Sequence, residues 1–431
     1  MKKTFLLLAL VIGSTACQPQ HQAPVLNPAD YESYLKPVSQ QVSQSFAEKE
    51  LRFWQQKLDA SPGNNQYLIQ LAGAYSQKFR EDGNIDHIHT SDDLYKQALV
   101  GYGLDKAGIY RALTANAITR HSFREAYDLI YKAIEIGSDQ GANHLLLFDV
   151  ALELGLYNEA QRALESQMHQ STFSYLIRAS KMADHKGDLD KAITLMEQAY
   201  EKKKNDPTLF QWAKSNLGDM YGHAGWVADS YQAYLEVLVV NPNHWRSWQG
   251  LAWIAYAHEG DLWETRRIIN HLSEGSSDPQ ISLLLADLTA SAGDGDQALK
   301  WKQQFHDEAS QTKYGQMYNK HLALLEAEDL GMAAEAITRL EKELELRPTP
   351  EVYDALAWSH FANGDHEQAL KLVSLHVENK TFEPDALYHL GIIYWHNGQQ
   401  RKGRKYLKEA LKAKFELGPL TTKSILETLA N

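Results

Sequence analysis

Cysteine is almost absent from this chain of 431 residues, and Cys17 is the only one. A single thiol cannot form a disulfide within the chain, and it cannot build a cysteine-based metal site. Its place near the N-terminus fits an attachment point better than a core residue.

Basic residues are also scarce relative to acidic ones, 43 against 55, and the formal net charge is −12. Binding to nucleic acid depends on basic residues that neutralise phosphates, so this balance argues against a nucleic-acid partner. It also disfavours peripheral binding to anionic lipid. Any membrane attachment must therefore rest on something other than protein charge.

Catalytic and phosphate-binding motifs are missing as well. The sequence contains no HExxH, no GxxxxGK[ST] and no GxSxG. Ser310 and Lys313 form an SxxK pattern, but about one such match is expected by chance in a chain of this size, and its companion motifs do not follow. We predict no enzymatic activity and no cofactor.

The N-terminus, MKKTFLLLALVIGSTAC, has a basic start, an apolar run over 5–12 and small residues before Cys17. This is the pattern of a secretory signal, and the run is too short for a transmembrane helix. It resembles a bacterial lipoprotein signal, which implies that Cys17 is lipidated and that 1–16 are removed. Because Gln18 follows, the resemblance implies an outer-membrane lipoprotein facing the periplasm or the cell surface. Three prolines in 17–30 predict a flexible tether.

Glycine recurs with a regular period in the rest of the chain. Eight glycines between 155 and 398 follow one another at intervals of 32 to 38 residues, and five positions after each stands a mostly small residue. His121 takes the glycine's place in a further unit, with Ala126 in register. The glycines are Gly155, Gly187, Gly225, Gly260, Gly293, Gly331, Gly364 and Gly398.

The clearest units have Leu-Gly, then Tyr, then Gly, then a small residue, at fixed distances. They hold Leu217, Gly218, Tyr221, Gly225 and Ser230, and Leu390, Gly391, Tyr394, Gly398 and Gly403. These units resemble tetratricopeptide repeats, which implies an all-α, right-handed α-solenoid of about nine or ten hairpins. We assign 67–415 to the array, 31–66 to an N-terminal helical segment and 416–431 to a capping helix. Near Gly260 one helix is a residue longer than its neighbours.

The first unit contains an insertion over residues 81–92. Asp86, His87 and His89 lie together there, and carboxylate plus imidazole is a plausible ligand set for zinc, nickel or copper. Short polar loops also collect such residues without binding anything. We therefore predict a solvated loop and no metal site, although a long loop of this kind is often mobile or functional.

In tetratricopeptide folds the first helix of each hairpin lines the concave surface, so the resemblance also implies which side chains face a partner. The predicted groove residues are Trp212, His223, Trp358, Phe361, Tyr388, Trp395 and His396. The acids in the same register are Asp149, Glu153, Asp219, Asp287, Glu328, Asp329 and Asp354, whereas the basic residues there are few, chiefly Lys181. Such a groove suits an extended peptide with basic or apolar side chains, or a sugar chain stacked on rings.

These features favour a non-catalytic, lipid-anchored periplasmic scaffold that binds an envelope protein or an extended peptide through its concave surface. Two alternatives remain open from the sequence: a polysaccharide-handling lipoprotein of an export or assembly machine, and a metal-linked accessory protein that uses the 81–92 insertion. A solvated concave surface, with the partner on a convex edge, is also compatible with the repeat.

Overall fold

A computed structural model describes residues 24–35, 46–101, 106–169 and 171–430. The described residues are helical and include no β-strand. The predicted signal peptide and Cys17 lie outside these residues. Within them, no helix combines the length and the apolar character needed to cross a bilayer.

Ten helical hairpins follow one another in the described ranges and stack into a right-handed α-solenoid, which confirms the predicted fold class. The first five are α2 (Asn65–Asp82) with α3 (Asp86–Ala98), α4 (Lys106–Thr119) with α5 (Phe123–Ile136), α6 (Gln140–Glu153) with α7 (Tyr157–Glu165), α8 (Phe173–His185) with α9 (Leu189–Lys203), and α10 (Pro207–His223) with α11 (Val227–Val240). The next five are α12 (Trp245–Trp253) with α13 (Leu262–Gly275), α14 (Gln280–Ser291) with α15 (Gly295–Ala309), α16 (Asn319–Glu328) with α17 (Ala333–Leu346), α18 (Pro350–Ala362) with α19 (His366–Leu372), and α20 (Pro384–His396) with α21 (Gln400–Ala410). Helix α1 (Phe46–Ala60) precedes them, and α22 (Lys414–Ala430) follows.

The recurring glycines end the first helix of their hairpins in the left-handed conformation. All eight have φ between 66° and 84°, and His121, which replaces a glycine, has φ 57°. This conformation lets the chain turn back after the last helical residue, and glycine adopts it without a steric penalty. The small residues five positions later are buried at the helix crossings, as Ala160 and Ala192 show. The glycine register predicted from the sequence is confirmed.

The longer helix predicted near Gly260 is also present. Helix α12 continues as a π-helix over Ile254–Glu259, and the Asp261 amide N–H donates to the Ala255 carbonyl oxygen at 2.9 Å. A π-helical turn accommodates one extra residue without breaking the helix. A second π-helical segment, Val373–Val377, continues α19 and was not predicted.

The predicted loop over residues 81–92 is wrong. Helix α2 continues to Asp82 and α3 begins at Asp86, so only residues 83–85 connect the two helices. Ile85 and Ile88 are almost completely buried in a cluster with Phe305, Tyr318 and other residues around α15 and α16. The insertion lengthens the first hairpin and packs it against hairpins far along the chain.

Successive turns of the solenoid therefore touch. The Ser277 amide donates to the Asp82 carbonyl oxygen at 2.8 Å, and the Trp245 indole N–H donates to the Arg80 carbonyl oxygen at 3.1 Å. Further along, the ring of Phe382 lies so close to Gly187 that a Cβ there would come within 2.7 Å of it. Because these contacts join successive turns, the concave side of the hairpins forms an inner surface of the folded body.

The predicted flexible tether over 17–30 is also wrong for its described part. Residues 24–35, which we call the N-terminal strap, pack against α11, α12 and α13. The amide N–H groups of Val25 and Leu26 donate to the Glu259 carboxylate at 2.7 and 3.2 Å. Tyr31 is completely buried. The strap is thus part of the folded body, because its backbone amides and the Tyr31 ring find partners there.

Helix α22 covers the last hairpin, as expected for a cap, and also reaches back to the middle of the solenoid. It bends at Gly418, whose φ is 73° and ψ is 174°. Leu417 and Ile425 join the core built by α17 to α21. Phe415 and Glu416, at its start, reach the inner surface.

Candidate functional site

A cavity of about 350 Å³ opens on the inner surface, where α10, α12, α14 and α16 face the start of α22. The first helices of four consecutive hairpins thus contribute to one site. Its lining combines charged, polar and aromatic side chains: Asp219, His223, Tyr234, Arg246, Gln249, Trp253, Gln280, Asp287, His321, Phe415 and Glu416, with Gly250, Leu283 and Leu284.

Asp219 and Arg246 form a fixed ion pair on one wall. The Arg246 Nε–H donates to Asp219 Oδ2 at 2.8 Å, and the Tyr234 hydroxyl donates to Asp219 Oδ1 at 2.6 Å. The Tyr234 ring fits here because its neighbours lack side chains: a Cβ at Gly218 or Gly250 would lie within 2.6 or 2.2 Å of that ring. The Asp219 carboxylate is therefore already matched and has little negative charge left for a ligand.

Asp287, on the opposite wall, is not matched. Its carboxylate forms no hydrogen bond or ion pair within the part of the chain that the structure describes, because the nearby Lys302 binds Asp329 at 2.6 Å. Burial raises the pKa of Asp287 to about 6. His321, on the same lining, is accessible from the cavity but surrounded by protein, and this desolvation lowers its pKa to about 4. Near neutral pH the cavity therefore holds an ionised Asp287 carboxylate and an uncharged His321 imidazole.

Glu416 adds a second carboxyl from the C-terminal helix. Burial and the negative charges of Glu383, Asp385 and Asp184 together raise its pKa to about 7. The His223 Nδ1 lies 3.8 Å from the Glu416 carboxylate and opposes this effect. Burial also raises the pKa of Glu383 and of Asp184. This part of the inner surface has an excess of negative charge that raises the pKa of its own carboxyl groups.

Two contacts hold the C-terminal side of the cavity in place. The Trp253 indole Nε1–H donates to the Phe415 carbonyl oxygen at 2.9 Å. The Phe415 ring packs on Gly222, where a Cβ would lie within 2.6 Å of the ring. Gly418 also approaches the ring of Trp253. Because Trp253 directly precedes the π-helical segment, that segment begins beside the same contact. Residues 415–418 thus close one side of the cavity.

The predicted groove residues divide into two groups. His223 lines the cavity, together with Asp219 and Asp287, which the repeat register had also placed on the concave surface. Trp212, earlier on α10, is 37% exposed and lies edge-on to Phe173 at 6.0 Å between ring centroids. The other five predicted residues lie on α18 and α20.

All of those on α18 and α20 except Trp395 form a packed aromatic cluster. Trp358 is only 7% exposed, with ring centroids 5.1 Å from Phe361, 5.6 Å from Tyr388 and 4.1 Å from His389. Its indole N–H donates to the Glu328 carboxylate. The prediction that Trp358 offers its ring to a partner does not fit this burial, because α20 covers the ring.

Phe361, Trp395 and His396 lie nearer to solvent. His396 is exposed, and its ring lies 5.2 Å from that of Phe361. Trp395 is half-buried beneath the Arg404 guanidinium, which is 5.2 Å from the ring centroid. Trp395 makes no ring contact with Trp358 or Phe361 in the described residues.

Basic residues are more frequent on the inner surface than predicted. Arg178 binds Asp149 at 2.6 Å, Lys181 binds Glu153 at 2.8 Å, and Arg246 binds Asp219. Each base follows its acid by 27 to 29 residues. This interval is shorter than one repeat by one to two helical turns. A search of the sequence for acid–base pairs at this spacing would have found these ion pairs.

The weak metal candidates have separate partners. His87 Nε2 lies 3.2 Å from Asp82, whereas the His89 Nε2–H donates to the Lys313 carbonyl oxygen at 2.7 Å. Asp86 pairs with the Lys313 ammonium at 3.4 Å. Among the described residues, no three histidine, cysteine or acidic side chains come together as a metal-binding group.

The tetratricopeptide repeat family model matches residues 384–416, which comprise α20, α21 and the start of α22. The last hairpin is thus similar to a tetratricopeptide repeat. Comparison with curated proteins gives no match.

Several solved structures are similar. YrrB, described as a tetratricopeptide repeat protein with an unusual peptide-binding site, is 16% identical over 46% of this chain and 96% of its own, with a TM-score of 0.26. PilF of Pseudomonas aeruginosa is 17% identical over 49% of this chain and 96% of its own, with a TM-score of 0.37. The Cut9–Hcn1 assembly is 12% identical over 91% and 98%, with a TM-score of 0.34.

Proposed function

We propose that this protein is a non-catalytic, lipid-anchored scaffold of the bacterial envelope that binds a protein or extended peptide partner on its inner surface. The observation that supports this most is the cavity between α10, α12, α14, α16 and α22, in which the carboxylate of Asp287 has no partner among the described residues. A solenoid of stacked hairpins builds a continuous surface for such a partner.

The chemistry of the cavity favours a basic side chain. A lysine or arginine that enters it finds the carboxyl groups of Asp287 and Glu416, and the rings of Trp253 and Phe415 lie on the same lining. Carboxylates and aromatic faces both stabilise cations, and they do so more strongly where solvent is partly excluded. The volume is at the lower end for ligand sites, so it suits one or two side chains of an extended segment.

The peptide specificity is tested by fluorescence polarisation with two labelled peptides that differ only in a central lysine or glutamate. We expect the lysine peptide to bind, and Asp287→Asn to weaken it at least about tenfold, which corresponds to about 1.4 kcal/mol. Glu335→Gln removes an exposed carboxylate on α17 and is the matched control. Equal binding of the two peptides, or equal affinity of both variants, would count against this site.

The partner itself is sought by crosslinking the lipidated protein in envelopes. A partner that uses the cavity is recovered with wild type and with Glu335→Gln, and its yield falls with Asp287→Asn and Glu416→Gln. Binding of a neutral oligosaccharide that quenches tryptophan, without any peptide binding, would favour the polysaccharide-handling alternative.

The lipid anchor is supported by the signal pattern before Cys17, the chain's only cysteine. It is tested by labelling cells with an alkyne fatty acid and by separating inner and outer membranes on a density gradient. We expect label in the outer-membrane fraction and its loss in Cys17→Ser. A protein that carries no label would remove the anchor from the proposal and leave the peptide site standing.

A further inference from the structure

The N-terminal strap fixes the point at which the chain leaves the folded body. The amides of Val25 and Leu26 both donate to the Glu259 carboxylate, at 2.7 and 3.2 Å. Glu259 is the last residue of the π-helical segment, directly before the turn into α13. The N-terminal end of the strap therefore lies beside this turn.

The strap is held by buried contacts as well as by backbone hydrogen bonds. Tyr31 packs edge-on against Trp248, with ring centroids 5.9 Å apart, and its hydroxyl donates to Glu264 Oε1 at 2.6 Å. Arg267 binds both Glu264, at 2.8 Å, and Glu32 of the strap, at 2.7 Å. Lifting the strap would expose the Tyr31 ring and leave a buried carboxylate short of a donor. The exit point beside Glu259 is thus a fixed feature of the body.

The connection from this exit point to the lipid site is short. Val25 comes eight residues after Cys17. Even a fully extended connection of that length spans at most about 28 Å. Given the lipidation in the proposed function, on which this step rests, the exit point beside Glu259 stays within about 28 Å of the lipidated residue.

A large apolar side chain stands exposed beside the exit point. Trp263, four residues after Glu259, is 72% exposed, whereas its neighbour Leu262 packs into the core. The Arg267 guanidinium lies 5.7 Å from the Trp263 ring centroid, so a cation accompanies the ring at the surface. An exposed tryptophan is unusual in water, but its apolar ring and polar N–H suit the boundary between lipid and water.

We propose that the turn between Glu259 and Arg267 lies against the lipid surface, with Trp263 in the interface. The short connection to Cys17 supplies the proximity, and the tryptophan supplies the favourable contact. The net negative charge of the protein disfavours binding to anionic lipid, so a surface of zwitterionic lipid is the partner that fits. The solenoid is then held in one orientation relative to the membrane.

The test uses spin labels on the lipidated protein in vesicles of phosphatidylcholine and phosphatidylethanolamine. Cys17 is the only cysteine and its thiol is blocked by lipid, so Arg266→Cys, at a partly exposed position one turn after Trp263 on α13, gives a single labelling site and keeps the tryptophan. The matched control is Ile136→Cys, at an exposed position of α5, which packs between α4 and α6. Relaxation by oxygen, which partitions into lipid, and by a water-soluble nickel chelate is compared at the two positions.

We expect a severalfold higher ratio of oxygen to nickel relaxation at 266 than at 136. Equal ratios in a protein whose lipidation is confirmed by the mass of its N-terminal peptide would overturn the orientation alone. An unlipidated N-terminal peptide would instead refute the anchor on which the orientation rests. Inserting a long Gly/Ser segment after Gln22 should lower the ratio at 266, and an unchanged ratio would show that the short connection is not the cause.

Discussion

Trp253 donates a hydrogen bond of 2.9 Å from its indole Nε1–H to the carbonyl oxygen of Phe415, which lies 162 residues further along the chain. This bond joins the sixth hairpin to the start of α22. The C-terminal helix is therefore attached at two places, to the last hairpin and to the middle of the solenoid. Because the second attachment forms a wall of the inner cavity, the C-terminus contributes to the shape of the candidate site.

Gly222→Ala should detach this wall. A Cβ at position 222 would lie within 2.6 Å of the Phe415 ring, so the ring must move away. Alanine by itself stabilises a helix interior by about 0.5–1 kcal/mol relative to glycine, and a local loss of structure would therefore come from the contact. We expect faster amide exchange over residues 414–418, measured by hydrogen-exchange mass spectrometry. Gly295→Ala, also helical but with open space around it, is the control. Equal exchange in both variants would contradict the prediction.

Tyr31→Phe should weaken the strap. The change removes the 2.6 Å hydrogen bond to Glu264, whose side chain is 1% exposed, so a buried carboxylate loses one of its donors. We expect the free energy of unfolding to fall by about 1–3 kcal/mol, measured by urea denaturation. Tyr67→Phe removes a hydroxyl that has no hydrogen bond in the described residues and should change little. A loss of the same size in both variants would mean that the Glu264 contact is not responsible.

Ile88→Ala should loosen the contact between successive turns. Ile88 is 2% exposed in the cluster with Phe305 and Tyr318, and truncation of a buried isoleucine costs about 2–5 kcal/mol. Because this cluster joins the first hairpin to distant ones, we also expect a larger radius of gyration in X-ray scattering. Val100→Ala, at a side chain that is 80% exposed, is the control. A stability loss without any expansion would show that other contacts hold the turns together.

Binding of a lysine peptide should strengthen as the pH rises. The carboxyls of Asp287 and Glu416, with pKa values of about 6 and 7, are protonated at low pH and gain charge as the pH passes these values. Raised carboxyl pKa values also make their contribution to stability largest at low pH, and it is lost as the pH rises through them. A bound cation offsets that loss. We expect tighter binding at about pH 8 than at about pH 5, a difference that Asp287→Asn reduces and Glu335→Gln retains.

Local chemistry explains which parts of the fold could be predicted. A glycine that ends a helix in the left-handed conformation needs no distant contact to do so. The helix ends at Gly187 and Gly398 could therefore be predicted from the local sequence alone. The extra residue before Gly260 could also be predicted, because it lengthens that helix by one position relative to the other repeats. The contact between Ile88 and Tyr318 has no local pattern, because it depends on small rotations that accumulate over six hairpins.

The candidate site, like the fold, could be predicted from the sequence only in part. Repeat register placed Asp219, His223 and Asp287 on one surface, and the structure brings them to one cavity. Glu416 belongs to the predicted capping helix and Phe415 is the last residue of the predicted array, so neither lies on a first helix, from which the concave residues were predicted. Trp358 has the same sequence pattern as an exposed groove residue, but its exposure depends on what the next hairpin places over it.

The residue that covers Trp358 is His389, which also forms a buried pair with Asp354. Its Nδ1–H donates to Asp354 Oδ2 at 2.8 Å, and both side chains are almost completely buried. The other carboxylate oxygen of Asp354 accepts no hydrogen bond from any residue that the structure describes. Burial alone would lower the pKa of His389, but the charge and hydrogen bond of Asp354 outweigh burial and raise it, with help from Asp385 and Glu328. The His389 imidazole therefore stays protonated at pH values above the usual pKa of histidine.

Asp354→Asn should abolish this pair and change the pH dependence of stability. A raised histidine pKa contributes stability that is fully present below the unfolded value of about 6.5 and is lost as the pH rises through the folded value. The difference in unfolding free energy between wild type and Asp354→Asn should thus be largest below about pH 6.5 and shrink above it. In NMR titrations of the ring nitrogens, the His389 pKa should fall in the variant because burial is then unopposed. A His389 pKa that is the same in both proteins would mean that Asp354 does not hold the proton there.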